Sequence, residues 1–266
     1  MYLILNRKNW LTVPVLSIII ALSEVLSMSH LPVSRIDFNE WDILINSFDS
    51  PLLVSIIYPI LFFSLTVDVL TDEFAENWQC GMIMKYSSRI NWILNKIFTT
   101  VILVLVYIMI FLFFILTISA LFVPWEPGWS KASYALDTLS TGGLSASIFN
   151  FPPYVIILKI IILLFVGLFV WSSFVTIIGS FFRKAFVGWL VGASICMISY
   201  GIWMTHSNMS MYAPTLQMLL KVHSGFCSKL LHIPHWFNIE WSIGTEISIL
   251  VISILVYILL FRRHIL

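Results

Sequence analysis

The segment DEFAENWQCGMIMKYSSRINWILNK, residues 72–96, sets three carboxylates, Asp72, Glu73 and Glu76, ahead of three cations, Lys85, Arg89 and Lys96. Carboxylates so placed can receive the basic groups of a docked protein, or complement the dipole at the start of a helix. Four histidines, His206, His223, His232 and His235, form a second group. His232-Ile-Pro-His235 offers two imidazoles, yet proline breaks the helical spacing and no Cys or acid pattern completes a ligand set. These histidines are expected at the surface, in an aromatic interface, and not around a metal. Gly143-Leu144-Ser145-Ala146 lacks the last glycine of a G-x-S-G serine motif. No G-x-x-x-x-G-K-[ST] loop occurs, so the chain offers no cradle for ATP phosphates. Chemistry on a bound substrate is not expected of these residues.

Hydrophobicity sets the elements that must position them. Of 266 residues, 60% are hydrophobic and 10% charged, against roughly 25% charged in a soluble domain. Mean hydropathy is +0.99. Several runs meet the roughly 20 apolar residues needed to cross about 30 Å of hydrocarbon. They are continuous and do not alternate with period two, which argues for helices and against a barrel. The expected fold is an all-α integral membrane protein with one transmembrane domain over 1–266. Its six spans are placed at 11–28, 51–70, 97–123, 154–181, 185–204 and 245–261. Arg7 and Lys8 precede the first run, which lacks a small-residue cleavage site and reads as a span, not a signal peptide. Ser50–Pro51 and Pro152–Pro153 mark two helix starts, because proline at the first helical position sacrifices no hydrogen bond.

Nine of the fourteen Lys and Arg residues fall on one side of this plan: Arg7, Lys8, Lys85, Arg89, Lys96, Arg183, Lys184, Arg262 and Arg263. The positive-inside rule places that side, with both termini, in the cytoplasm. Trp41, Trp125, Trp129, Trp236 and Trp241 fall near the outer ends, as an aromatic belt would. The net charge of +1 gives no reason to expect a nucleic-acid partner. Of the two cytoplasmic connections, the one at Arg183–Lys184 has almost no length, so only residues 72–96 are long enough to hold a partner.

Within that loop, Thr71 or Asp72 can cap a short helix, with Asp72, Glu73 and Glu76 in its first turns. Phe74, Trp78 and Met82 recur every four residues as an apolar ridge. Gly81 and a turn near Tyr86 can end it, and Ser87 or Ser88 can cap the next helix, which carries Arg89 and Lys96 into the third span. An amphipathic helix lying on lipid is one reading. Such helices favour Lys and Arg on the polar face, whereas this one begins with acids that anionic lipids repel. A basic protein partner accounts for the acids better.

Here the chain resembles the permease subunits of type-2 ABC exporters, the ABC-2 family. These have six spans with both ends inside and a coupling helix between spans two and three. The family pattern is E-x-x-E-G-T, a mostly apolar stretch, a Ser-Arg pair, and a Lys seven residues after the Arg. This chain has Glu73-Phe74-Ala75-Glu76-Asn77-Trp78, then Ser88–Arg89, then Lys96. Asn77 and Trp78 stand where Gly-Thr is usual, and Tyr86 where Pro is frequent. The resemblance implies a coupling role for Asp72, Glu73, Phe74, Glu76, Asn77, Trp78 and Met82, with Ser88, Arg89 and Lys96 as loop anchors. It implies separate ATPase subunits that bind ATP and Mg, no cofactor in this chain, and a second permease chain, identical or homologous. It also implies a bacterial plasma-membrane location and export of an amphipathic substrate such as an antimicrobial peptide, a toxin or a drug. A non-transporting immunity or sensor protein is the alternative, and an intramembrane protease a more distant one.

The last outer loop, about 205–244, carries two apolar patches, MYAPTLQMLLKVH and FCSKLLHIPHWF, each too short to cross. Two short re-entrant helices are expected before span six. The resemblance makes them an outer gate built of Leu219, Leu220, Phe226, Leu230 and Trp236; a plain interfacial loop is the other reading. The first outer loop is acidic, with Asp37, Glu40, Asp42 and Asp49 expected on a solvated face and Asp37 with Glu40 spaced as a cap. Glu24 and Lys159 sit near outer span ends and can snorkel. Glu246 is expected to begin span six, where the helix dipole suits it. Cys80, Cys196 and Cys227 fall in three environments, so no disulfide is expected.

Overall fold

The computed structural model describes residues 8–29, 38–75, 89–131, 133, 145–182, 184–205, 208–227 and 233–263. Among them every regular element is helical. Helix α1 (Thr12–Ser29) follows a 3-10 turn at Lys8–Leu11, and α2 (Glu40–Phe48) is short. Helix α3 opens with a π-helical stretch at Leu53–Ile57 and continues as Tyr58–Ala75. Helices α4 (Arg89–Phe122), α5 (Pro153–Phe182), α6 (Ala185–Met204) and α7 (Ile239–Arg263) complete the bundle.

Among the described residues five stretches are long and apolar enough to cross a membrane: Asn9–Ser27, Asn95–Phe122, Pro153–Phe182, Ala185–Met204 and Ile239–Val256. The pair Glu40–Phe48 and Leu53–Val67, bent by 49°, makes a sixth if counted as one. The protein is therefore an all-helical membrane protein. Proline starts two helices as expected: the Val54 amide donates to the Ser50 carbonyl at 2.9 Å, and the Val155 amide to the Pro152 carbonyl at 3.0 Å. Helix α6 coincides with the expected fifth span.

Three expectations change. First, no helix starts at Thr71 or Asp72, because α3 runs unbroken through them to Ala75. Second, α7 starts at Ile239. Asn238 caps it, its side chain accepting from the Trp241 amide at 2.8 Å and its carbonyl from the Ser242 amide at 3.2 Å. Glu246 is thus seven residues inside the helix, beyond the turn where the dipole acts. Third, the segment before α7 forms no re-entrant α-helix in its described part. It makes 3-10 turns at Asn208–Tyr212, Pro214–Met218 and Leu220–Val222, in short pieces as that geometry dictates.

Helix α5 is the central post, packed by α2, α3, α4, α6 and α7. Close approach to α6 depends on glycine. A Cβ at Gly188 would lie 2.5 Å from the Val175 carbonyl oxygen and 3.1 Å from the Gly179 backbone. One at Gly192 would lie 2.8 Å from Phe63 and Val175 side-chain atoms. Backbone cannot yield as a side chain can. Gly188→Ala is expected to destabilise the bundle by about 1–3 kcal/mol. Gly201→Ala, which meets nothing within 4 Å, serves as the control. Thermal unfolding of the detergent-purified variants reads the difference.

The α3–α4 contact is aromatic. Tyr58 and Phe111 rings lie 4.7 Å apart, and Phe62 and Tyr107 5.0 Å apart. The Tyr107 hydroxyl donates to the Tyr58 carbonyl at 3.0 Å, and the Tyr58 hydroxyl to the Ser47 carbonyl at 2.8 Å. The two helices are thereby antiparallel, so Ala75 and Arg89 leave and re-enter the bundle at one end. Asp49, which precedes α3, lies at the other.

Candidate functional site

The expected coupling residues are split by what the structure describes. Asp72, Glu73 and Phe74 occupy the last turn of α3, and Arg89 and Lys96 the first two turns of α4. Glu76, Asn77, Trp78, Met82, Ser88 and Cys80 lie outside the described residues. Helix α4 begins at Arg89, immediately after Ser88. Six residues separate Arg89 from Asn95, where the apolar stretch of α4 begins. At 1.5 Å per residue that places about 9 Å of helix ahead of it.

At the opposite end of the bundle many polar side chains of the described residues converge. Asn39 and Asp42 form a capping box on α2: the Asn39 side chain accepts from Trp41, and Asp42 accepts from the Asn39 amide at 3.0 Å. This cap replaces the one expected from Asp37, which lies outside the described residues. Both Glu40 carboxylate oxygens accept from the Glu126 amide at 3.1 and 3.2 Å. The Trp41 indole donates to the Glu126 carbonyl at 2.7 Å, and the Asn39 side chain to the Gly128 carbonyl at 2.8 Å. Asp42 also accepts from the Ser133 hydroxyl. Glu40, Asp42 and Asp49 are buried, at 0%, 6% and 1% exposure. They do not form the solvated face expected, because backbone amides and hydroxyls from distant segments take the place of water.

Asp49 joins α2 and α3 to the 3-10 segment. It accepts from the Leu220 amide at 2.7 Å and lies 3.7 Å from the Lys221 ammonium. Glu24 on α1 is close enough for its charge to interact with Lys221. His223 is wholly buried and stacked on Phe237, with centroids 5.3 Å apart. Its Nδ1 faces the Leu219 carbonyl and its Nε2 the Ser242 hydroxyl, both at 2.8 Å. A carbonyl can only accept, so Nδ1 carries the proton and Nε2 accepts from Ser242. Burial pushes its pKa down to about 4. His223 is therefore a core residue, correcting the expectation of surface histidines; His235 is exposed, and His206 and His232 lie outside the described residues.

The expected gate residues are not alike. Leu219 and Leu220 are wholly buried and Phe226 nearly so, while Trp236 is 46% exposed; Leu230 lies outside the described residues. Leu219 and Leu220 belong to the hydrophobic core. Phe226 shares with Phe151 the ammonium of Lys159, whose Nζ lies 4.8 and 4.1 Å from the two centroids. Lys159 thus turns toward this end, as snorkelling requires. The aromatic belt clusters here too: Trp41 with Trp125 at 5.8 Å, and Trp236 with Trp241 at 5.1 Å.

Below this layer, one buried pair was not anticipated. The Trp171 indole on α5 donates to Glu246 Oε1 on α7 at 3.1 Å. Glu246 is 3% exposed, and its Oε2 has no hydrogen-bond partner. Among the described residues no group of three or more His, Cys, Asp or Glu is placed to hold a metal, and Cys196 and Cys227 are not joined by a disulfide.

The chain matches no family model, no curated protein sequence and no solved structure.

The two ends of the bundle differ in kind. At one, two long apolar helices deliver a short polar connection carrying acids and then bases. At the other, buried side chains tie together segments far apart in the chain, closing the bundle with hydrogen bonds. The burial of Asp49, His223 and Glu246 is not read from the sequence, because each is a single polar residue whose partners lie far away in the chain. A carboxylate inside an apolar run, as at Glu246, was the one available signal.

Proposed function

We propose that this chain is the permease subunit of an ATP-driven exporter of the ABC-2 type, moving an amphipathic substrate out of a bacterial plasma membrane by alternating access. One observation carries this reading: Glu73, Glu76, Ser88–Arg89 and Lys96 keep the coupling-segment spacing between two apolar helices. Helix α3 bears the first acids on its last turn and α4 opens on Arg89, so force applied to residues 76–88 would pass into two antiparallel helices locked by Tyr58, Phe62, Tyr107 and Phe111. Rigid elements of this kind suit rocking of one bundle against another. In this reading the connection faces the cytoplasm, ATP and Mg are handled by separate ATPase subunits, and a second permease completes the pathway.

The test is capture of an ATPase. The chain is co-expressed with the ATPase encoded beside it and purified through a tag on the permease alone. Wild type is expected to retain the ATPase, and Glu73→Arg with Glu76→Arg to lose roughly tenfold or more of it, the equivalent of about 1.4 kcal/mol or above. Equal retention by a folded double variant would remove the docking role from these acids. No capture by wild type would favour a non-transporting immunity or sensor protein.

A further inference from the structure

We infer that Glu246 and Trp171 form a receiving site for a primary ammonium group carried by an amphipathic amine. The site lies within the apolar stretch Ile239–Val256, where a carboxylate without compensation is costly. Trp171 satisfies Oε1 only. Oε2 is buried and has no donor.

Neighbouring donors are already committed. Ser172 and Ser173 both donate to the Phe169 carbonyl, at 3.1 and 2.7 Å. The Thr245 hydroxyl faces Gln217 Oε1 at 3.1 Å and the Ser242 carbonyl at 2.9 Å. The Gln217 amide donates to the Met211 carbonyl at 3.2 Å. Lys221 is paired with Asp49. The bundle thus supplies Glu246 with one donor and no cation among its described residues.

An ammonium meets that deficit. It brings three N–H donors and a positive charge, and its hydrogen bonds to a carboxylate are charge-assisted. A quaternary ammonium has the charge but no N–H for Oε2. The amine must be amphipathic to reach it, since the carboxylate sits within the apolar stretch Ile239–Val256. The 3-10 segment is held to α7 by the Gln217–Thr245 and His223–Ser242 hydrogen bonds.

This inference goes beyond export: it applies to a transporter and to a sensor alike, and no ATPase enters its test. The full chain in phosphatidylcholine nanodiscs is titrated with radiolabelled dodecylamine at neutral pH, with empty nanodiscs subtracted. Dodecyltrimethylammonium and dodecanol are the competitors. One saturable site per chain is expected, with dodecylamine about tenfold tighter than either competitor. Glu246→Gln keeps the shape, cannot ionise, and is expected to weaken binding about 10- to 100-fold. Binding by Glu246→Gln within twofold of wild type would overturn the assignment. So would wild type that binds dodecylamine no tighter than dodecanol, an outcome that needs no variant to fold.

Discussion

Replacing Asp49 with alanine is expected to destabilise the protein by about 3–5 kcal/mol, the range for breaking a buried ion pair by removing one partner. The reason is what the substitution leaves behind. Lys221, whose side chain is 15% exposed, would keep its charge beside Glu24 without its nearest carboxylate. The Leu220 amide, now 2.7 Å from Asp49 Oδ1, would be buried without an acceptor. An orphaned buried donor adds about 1–3 kcal/mol of its own. Asp49→Asn keeps an acceptor for that amide and loses only the charge, so it should fall between wild type and Asp49→Ala. Thermal unfolding in detergent gives the order. Amide hydrogen exchange gives the place: in Asp49→Ala the Leu220 amide should lose protection before amides in the middle of α5 do. If Asp49→Ala melts with wild type and Leu220 stays protected, Asp49 does not hold the 3-10 segment.

The second large effect is expected on acidification. His223 titrates near pH 4 when folded because burial disfavours its cation, against about 6.5 in an unfolded chain. Its folded pKa is thus depressed, and it is a base. Between those values the unfolded state binds the proton and the folded state does not, so folding weakens as pH falls. The contribution is fully present above about pH 6.5, drains away between pH 6.5 and 4, and amounts to roughly 3 kcal/mol. Protonation would also make Nε2 a donor and end its acceptance from Ser242. His223→Phe keeps a ring on Phe237 and cannot titrate. Every other group is shared by the two proteins, so the difference in their stability–pH curves between pH 7 and 4 isolates the imidazole. Wild type should lose stability relative to His223→Phe across that window. Parallel curves would show that His223 is not held neutral in the core.

Much of the helical plan was legible because it rests on local signals. Arg183–Lys184 and the polar residues after Met204 bracket an unbroken apolar run, so α6 could be placed to the residue. Pro51 and Pro153 punctuate two more starts. Helix α7 was placed late because its first turns, Ile239-Glu240-Trp241-Ser242, are too polar to join an apolar run. The cap at Asn238 was there to be read. The acids of α2 suggest a solvated loop, although Asn39 and Asp42 hold the cap spacing.

What the sequence by itself determined is therefore the class and the course of the chain: an all-helical membrane protein, with one acid-then-base connection between two long helices. Hydrophobic length and helix punctuation are properties of adjacent residues, and they decide this without reference to the rest of the fold. Only the tertiary structure decided which polar residues lie inside. Glu40 meets the Glu126 amide across 86 residues, Trp171 meets Glu246 across 75, and Asp49 meets the Leu220 amide across 171. A carboxylate is tolerated in the interior only where donors surround it. Those donors are backbone amides and indoles, which carry no mark in the sequence of the carboxylate they will meet.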